Sequence, residues 1–400
     1  MLGSTRHGRG GTPRMGEAAP SPVRDSSRIS TAMTPAIPFV DLSRQHQPIA
    51  ADLRAAFERV LGASSYILGE EVARFEEEFA AYCGTRHCVG VASGTAALTI
   101  AALAAGIKRG DEVIVPAHTV IASALGLSHA GAVPVFCDVD PGTGLIDPAA
   151  AESAVSERTA AILAVHLYGQ MCDMEALGGV ARRHGLIVLE DAAQAHGARC
   201  GERRAGAFGA AAAFSFYPSK NLGALGDGGA ICTNDEHVAR EARRHRNLGQ
   251  LGKGDHAVLG YNERLDGLQA AFLRAKLPHL DGWNAARRER AGEYRAALGA
   301  SLRLLEERPE SPSVYHLFPV RIDDRDGLAE RLGEAGVATG VHYSPSVPGQ
   351  PPYAGASPEE FPEAAAWARE ELSLPMFESL SSAEVARVSA ACADILATAS

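Results

Sequence analysis

Seven short apolar runs, separated by helix-patterned segments, fill the stretch from residue 87 to residue 233, and few folds accept that rhythm. The runs cover residues 87–91, 112–116, 133–138, 160–166, 186–190, 211–216 and 229–233. Strands this apolar are buried on both faces, with the intervening helices as cover. Together they predict an α/β domain built on a seven-stranded, mostly parallel sheet. Ligands of such sheets collect at the carboxyl ends of the strands. The residues just past each run are therefore the ones to read for chemistry.

The first run leads into Ser93-Gly94-Thr95-Ala96-Ala97, a small-residue turn that opens a helix. Free peptide N–H groups at a helix start, with hydroxyls on either side of a glycine, suit a phosphate. An ordinary N-cap serine explains the same residues. The fifth run ends in Glu190-Asp191, with Gln194 and His196 close behind. A buried carboxylate needs a cationic or hydrogen-bonding partner to stay charged, although Asp also caps helices. The sixth run, ending in Phe214-Ser215-Phe216, stops at Pro218, and Lys220 follows among uncharged neighbours. Most lysines lie on the surface. One held out of water has a lowered pKa and becomes an amine able to form a Schiff base. Pyridoxal phosphate asks for this whole set: a phosphate seat, a hydroxyl beside it, an acid for the ring nitrogen and a lysine for the aldehyde.

Upstream, Ile49, Leu53, Phe57 and Val60 mark one amphipathic helix, and Val72, Phe75, Phe79 and Tyr82 a second. The tight loop Tyr66-Ile67-Leu68-Gly69 joins them. Downstream, Arg243-Arg244-His245-Arg246 reads as a solvated helix face or, less often, an anion site. Gly260-Tyr261-Asn262-Glu263-Arg264 is turn-like, so Asn262 also reads as a turn residue and Arg264 as a surface ion pair. From about residue 281 onward the pattern changes. Strands over 315–322 and 338–343, a helix near 328–332, a proline-rich loop over 345–352 and two terminal helices predict a smaller C-terminal α+β domain. The boundaries expected are 36–280 for the large domain and 281–400 for the small one. Residues 1–35, rich in Gly, Pro, Ser, Thr and Arg, read as a disordered extension. Met33 offers an alternative start just before the folded pattern.

A formal charge of −10 argues against general nucleic-acid binding. No apolar run approaches the length of a membrane span. Seven cysteines with no CxxC pair and no ligand spacing suit a reducing, cytoplasmic setting, with neither a metal site nor a disulfide framework. No Gly-x-Gly-x-x-Gly follows the first strand, which weakens a dinucleotide-dependent dehydrogenase.

From about Phe39 to the C-terminus the sequence resembles the sugar aminotransferases of the DegT/StrS family, a branch of the fold type I pyridoxal phosphate transferases. The resemblance is carried by Tyr66-Ile67-Leu68-Gly69, Ser93-Gly94-Thr95, Gly110-Asp111-Glu112-Val113, the run from Glu190 to Gly197, Phe214-Ser215-Phe216 with Lys220-Asn221, Gly228-Gly229-Ala230 and Gly260-Tyr261-Asn262. It implies that Lys220 forms the Schiff base and shuttles the proton, and that Asp191 pairs with the ring nitrogen. It also implies that Gln194 lies by the ring, while Gly94, Thr95 and Ser215 hold the phosphate. Asn262 would reach that phosphate from the neighbouring subunit of a homodimer. Arg264, His342 and Tyr343 match positions facing the substrate. Two departures stand out: Val120 replaces an aromatic expected to stack on the cofactor, and Pro348 replaces a histidine in the loop before Gln350-Pro351-Pro352-Tyr353.

The activity so implied is amino transfer from glutamate or glutamine to the ketone of a nucleotide-activated deoxysugar, on a route to a secondary metabolite or surface glycan. Alternatives are a cyclitol or other ketone acceptor, and a dehydratase. Family dehydratases replace the lysine by His, which Lys220 argues against. A catalytically silent sugar-nucleotide-binding or partner subunit is the alternative from another class.

Overall fold

The computed structural model describes residues 37–399, so the expected N-terminal extension lies outside the described residues. The seven runs form strands β1 (His87–Val91), β2 (Glu112–Pro116), β3 (Val133–Cys137), β4 (Thr159–Val165), β5 (Ile187–Asp191), β6 (Ala211–Ser215) and β7 (Gly229–Thr233). They make one sheet in the order β1-β7-β6-β5-β4-β2-β3. Only β7 runs against its neighbours, pairing antiparallel with both β1 and β6. The remaining pairs are parallel. Because six strands point one way, β1, β2, β4, β5 and β6 deliver their carboxyl ends to one edge. That edge carries the site.

Alternation along β5 separates two neighbouring acids. Glu190 accepts from the peptide N–H groups of Gly206, Phe208 and Gly209 and lies 3.0 Å from His166 Nε2, so it fixes a loop. Asp191 points the other way, toward the site edge. The helix Glu70–Cys83 covers the sheet with Phe75 and Phe79, whose rings meet Phe214 and Phe216 edge-on at 5.0–5.3 Å. Arg246, predicted to lie on a solvated face or in an anion site, is instead buried. It donates to the Glu76 carboxylate and, at 2.6 Å, to the Gly90 carbonyl. Burial of an arginine is tolerated because that acid answers its charge.

The smaller sheet has strands β8 (Arg303–Leu304), β9 (Phe318–Arg321) and β10 (Glu371–Leu374), antiparallel in that order. Helices Leu280–Leu298, Arg325–Glu334 and Ser382–Ala399 pack around it. Ile37 belongs to this second core, and its peptide N–H donates to Gly336 O at 3.0 Å. Two expectations need correcting here. The strand over 315–322 is confined to Phe318–Arg321, because Val314 and His316 donate their peptide N–H groups to Gly169 and Tyr168 instead. Residues 338–343 are not a strand beyond an isolated bridge from Gly340 to Ser373. Past it, the His342 N–H goes to the Glu371 carboxylate and the His342 carbonyl accepts from the Tyr168 hydroxyl, both at 2.5 Å. Side chains have taken the ladder's bonding groups. The third strand is Glu371–Leu374, which the sequence reading missed.

The helix Ala50–Ala63 packs Leu53, Ala56 and Val60 against Ala271 and Phe272 of the helix Gly267–Lys276. Phe57, expected on the packed face, is 42% exposed. Leu61, one helical turn on, and Tyr66 and Ile67 in the loop that follows are exposed as well, and Ile67 bridges to Asp266. No helix of the described residues is long and apolar enough to cross a membrane.

Candidate active site

Lys220 and Asp191 come from neighbouring strands. Leu189 of β5 pairs with Ala211 of β6, so both chains leave the sheet at the same edge. Asp191 is buried and accepts from Ser123 Oγ at 2.7 Å and from the Ala193 N–H at 3.1 Å. Burial pushes its carboxyl upward, and those bonds and the Lys220 charge only partly offset this. Lys220 is half-buried. Loss of water lowers its amine to about 8, against the pull of Asp191. The side chain lines a cavity of about 260 Å³ with Phe39, Tyr217, His316, His342 and Tyr343.

Gln194 closes one side of this space. Its Oε1 accepts from the Tyr168 N–H at 2.6 Å, and its amide donates to the Tyr343 hydroxyl at 2.9 Å. The peptide donor fixes which end of the amide faces which partner. His342 stacks on Phe39 with ring centres 5.5 Å apart and places Nδ1 2.9 Å from Ser373 Oγ. Two of the three proposed substrate-facing residues, His342 and Tyr343, therefore share the Lys220 cavity. Arg264 does not line it. Its guanidinium is tied to Asn247 Oδ1 at 3.0 Å and to the Asn262 side chain.

The helix start expected to seat a phosphate lies at the end of β1. Ser93 caps the helix Gly94–Ala104, with its Oγ accepting from the Ala96 N–H at 3.1 Å. The first backbone bond of that helix is Ala97 N–H to Ser93 O, so the Gly94 and Thr95 N–H groups precede it. Gly94 has to be glycine, because a Cβ there would come within 2.6 Å of Ser215 Cβ. Gly229 allows the same closeness, since its Cβ would sit 2.3 Å from Ser93 O. Thr95, Tyr261 and Glu263 line a second cavity of about 290 Å³, with the exposed Asn262 between the last two.

Sequence reasoning missed Ser123, Tyr168, His316 and Glu371. Ser123 is the one hydroxyl in Ile121-Ala122-Ser123-Ala124-Leu125, a helix otherwise apolar at its start, and that contrast was the available signal. Val120, where an aromatic was expected, caps this helix without touching the Lys220 cavity. Pro348 is buried in a short turn whose Val347 N–H bonds to Ala117 O at 3.0 Å.

Three imidazoles, His118, His196 and His316, are buried. His118 and His196 are lowered to about 3 by burial, and His316 lies well below its usual value for the same reason. An unfolded histidine takes up a proton as pH falls through about 6.5, and these rings resist until far lower. The folded state therefore loses stability toward acid, by up to about 1.4 kcal/mol per pH unit for each ring. The Glu371 carboxyl, raised to about 8 by burial, acts the other way over this range but is one group against three rings. Thermal unfolding should therefore show a midpoint that falls from pH 6.5 to pH 5, and in a Glu371→Gln variant the fall should be steeper. A flat midpoint in that variant would mean the rings are charged in the folded protein.

The mainly parallel seven-stranded sheet is an α/β fold consistent with the fold type I pyridoxal phosphate transferases. The chain belongs to the DegT/DnrJ/EryC1/StrS aminotransferase family, which it matches over residues 47–393. It is 47% identical over 363 residues to dTDP-3-amino-3,4,6-trideoxy-alpha-D-glucose transaminase of Streptomyces venezuelae, covering 90% of this chain and 96% of that protein. It is 49% identical over 349 residues to the erythromycin biosynthesis sensory transduction protein EryC1 of Saccharopolyspora erythraea, covering 86% and 95% of the two chains. Among solved structures, S. venezuelae DesV, in complex with a ketimine intermediate, superposes with a TM-score of 0.89 at 46% identity. That match covers 91% of this chain and 99% of DesV.

Proposed function

We propose that this chain binds pyridoxal phosphate and moves an amino group from glutamate or glutamine to the ketone of a nucleotide-activated deoxysugar. The observation that carries the reading is the convergence of Asp191 and Lys220. One is a buried acid with no full positive charge bonded to it, and the other is a dehydrated amine. Asp191 would hold a protonated ring nitrogen, and Lys220 would take the aldehyde. When bound, the cofactor supplies an electrophilic carbon and an electron sink.

The chain's own residues do the rest. With its amine near 8 in place of 10.5, Lys220 raises its uncharged fraction at neutral pH more than about a hundredfold. It acts as nucleophile, then as the base that takes the proton from the donor carbon in the first half-reaction and, as the acid, gives one to the acceptor carbon in the second. Ser123 and the Ala193 N–H hold Asp191 in place, so its charge need not reorganise during reaction. The N–H groups of Gly94 and Thr95, with Ser215 across from them, take the phosphate at the helix start. Gln194, locked by Tyr168 and Tyr343, borders the ring. His342 and Tyr343 face the acceptor.

Incubating the protein with glutamate and candidate keto-sugar nucleotides, then weighing the products, tests the acceptor class. The expected product is an aminodeoxysugar nucleotide. Turnover of a cyclitol ketone, with no reaction of any sugar nucleotide, would contradict the reading.

The exposed Phe57, Leu61, Tyr66 and Ile67 support a homodimer sealed at this apolar face. Leu259, in the loop before Asn262, is 95% exposed and is a second apolar point for a partner to cover. In such a dimer Asn262 serves the phosphate seat of the other subunit. The apolar patch and seven unpaired cysteines favour a cytoplasmic dimer. Coexpressing Lys220→Ala and Asn262→Asp subunits, each inactive alone, should restore about a quarter of the activity, because half the dimers are hybrids with one intact site. No recovery would mean Asn262 acts within its own chain.

A further inference from the structure

The Lys220 amine makes one side-chain hydrogen bond among the described residues, and its partner is His316 Nε2, 3.4 Å away. The direction of that bond can be worked out from the groups behind it. Asn221 donates through Nδ2 to the Val314 carbonyl at 3.1 Å and to Asn284 Oδ1 at 2.8 Å. A carbonyl only accepts, so this edge of Asn221 is its NH2 group and the Oδ1 edge faces His316 Nδ1 at 3.1 Å. That oxygen also only accepts. His316 Nδ1 therefore carries the ring hydrogen, and Nε2 turns a bare lone pair to Lys220. Asn284 is locked in the same sense, since its own NH2 donates to His196 O at 2.8 Å.

The ring has little freedom to turn away. The His316 N–H is bonded to Tyr168 O at 2.9 Å, and Arg287 donates to the Tyr315 and His316 carbonyls at 3.3 and 3.5 Å. His316 is also buried, and it lines the same cavity as Lys220.

We propose that His316 is a positioning residue for Lys220, its bare Nε2 being the acceptor that holds the amine in the site whenever Lys220 is not covalently engaged. This rests on the reading of Lys220 as the reactive amine. The charged and titratable groups facing the pair are Asp191 from β5, His196, His342 and Tyr343, with Arg287 behind His316. Asp191 and the Nε2 lone pair both favour the ammonium form, and burial opposes them. Removing the lone pair should lower the pH at which Lys220 loses its proton.

The test is pulsed reductive methylation, with formaldehyde and a borohydride, of the full-length protein freed of cofactor. Peptide masses report Lys220 against the exposed Lys108 and Lys253 as a function of pH. In His316→Leu the Lys220 midpoint should fall by about one unit, a tenfold gain in uncharged amine at pH 6.5. In His316→Gln, whose amide oxygen can accept, it should stay near the wild-type value. An unchanged midpoint in a folded His316→Leu protein overturns the proposal.

Should that variant fail to fold, nitrogen NMR of the wild-type ring decides. An Nδ1–H tautomer, with an Nε2 resonance that moves when Lys220 is methylated, supports the proposal, and an Nε2–H tautomer overturns it. Cofactor that binds at Lys220 while the midpoint is indifferent to residue 316 refutes only the role of His316. A protein that never joins cofactor to Lys220 refutes the functional reading, and this proposal with it.

Discussion

Lys220→Ala is expected to reduce amino transfer by at least about four orders of magnitude, since in the proposed reaction it removes the nucleophile and the proton carrier together. The fold should survive. The side chain faces the cavity without filling a core, and its single side-chain bond among the described residues is a long one, so unfolding should shift little. Product mass after an overnight reaction and a thermal melt would separate the two effects. Activity within tenfold of wild type in a folded variant would show that another amine does the work. The buried Lys276 is no substitute, because its Nζ is committed to Gly223 O at 2.7 Å and His46 Nε2 at 2.8 Å.

Asp191→Asn should be nearly as damaging. Asparagine keeps the shape: its oxygen can still accept from the Ala193 N–H, while its NH2 faces Ser123 Oγ, which then accepts in place of donating, so the packing is preserved. What disappears is the negative charge at a dehydrated point of the site, where an electrostatic contribution is large and needs no reorganisation. A loss of about a hundredfold to a thousandfold in turnover is expected, with a melt close to wild type. Ser123→Ala should cost less, because it removes one bond to the carboxylate and leaves the charge. Equal losses for the two variants would mean that orientation of the acid matters more than its charge.

The seven-stranded sheet was legible because its strands are apolar on both faces, a pattern with few other meanings. Lys220, Asp191 and Ser93-Gly94-Thr95 could be found for the same reason, as each sits directly past a recognisable run. Where the pattern misled, polar side chains had intervened. The stretch over 338–343 looks like a strand, but Glu371 and the Tyr168 hydroxyl occupy the backbone of His342. Glu371–Leu374 looks unlike one, since half of it is Glu and Ser. Both are buried in a small network in which Ser373 bonds Glu371 and burial raises that carboxyl to about 8.

His316 was hidden by distance along the chain. Its tautomer is set by Asn221 and Asn284, whose separation in sequence gives no local hint of contact. Arg264 shows the opposite limit. Its position in a motif suggested a substrate clamp, while in its own chain it braces Asn247 and Asn262.

The central claim is that Lys220 holds the cofactor and that an amino donor releases it. The direct measurement is the absorption spectrum of the full-length protein with pyridoxal phosphate, before and after glutamate or glutamine is added without any acceptor. The account predicts a yellow band that is lost with the donor, returns when a keto-deoxysugar nucleotide is added, and is absent from Lys220→Ala. A protein that stays colourless with added cofactor, or keeps its band whichever amino donor is supplied, would contradict it.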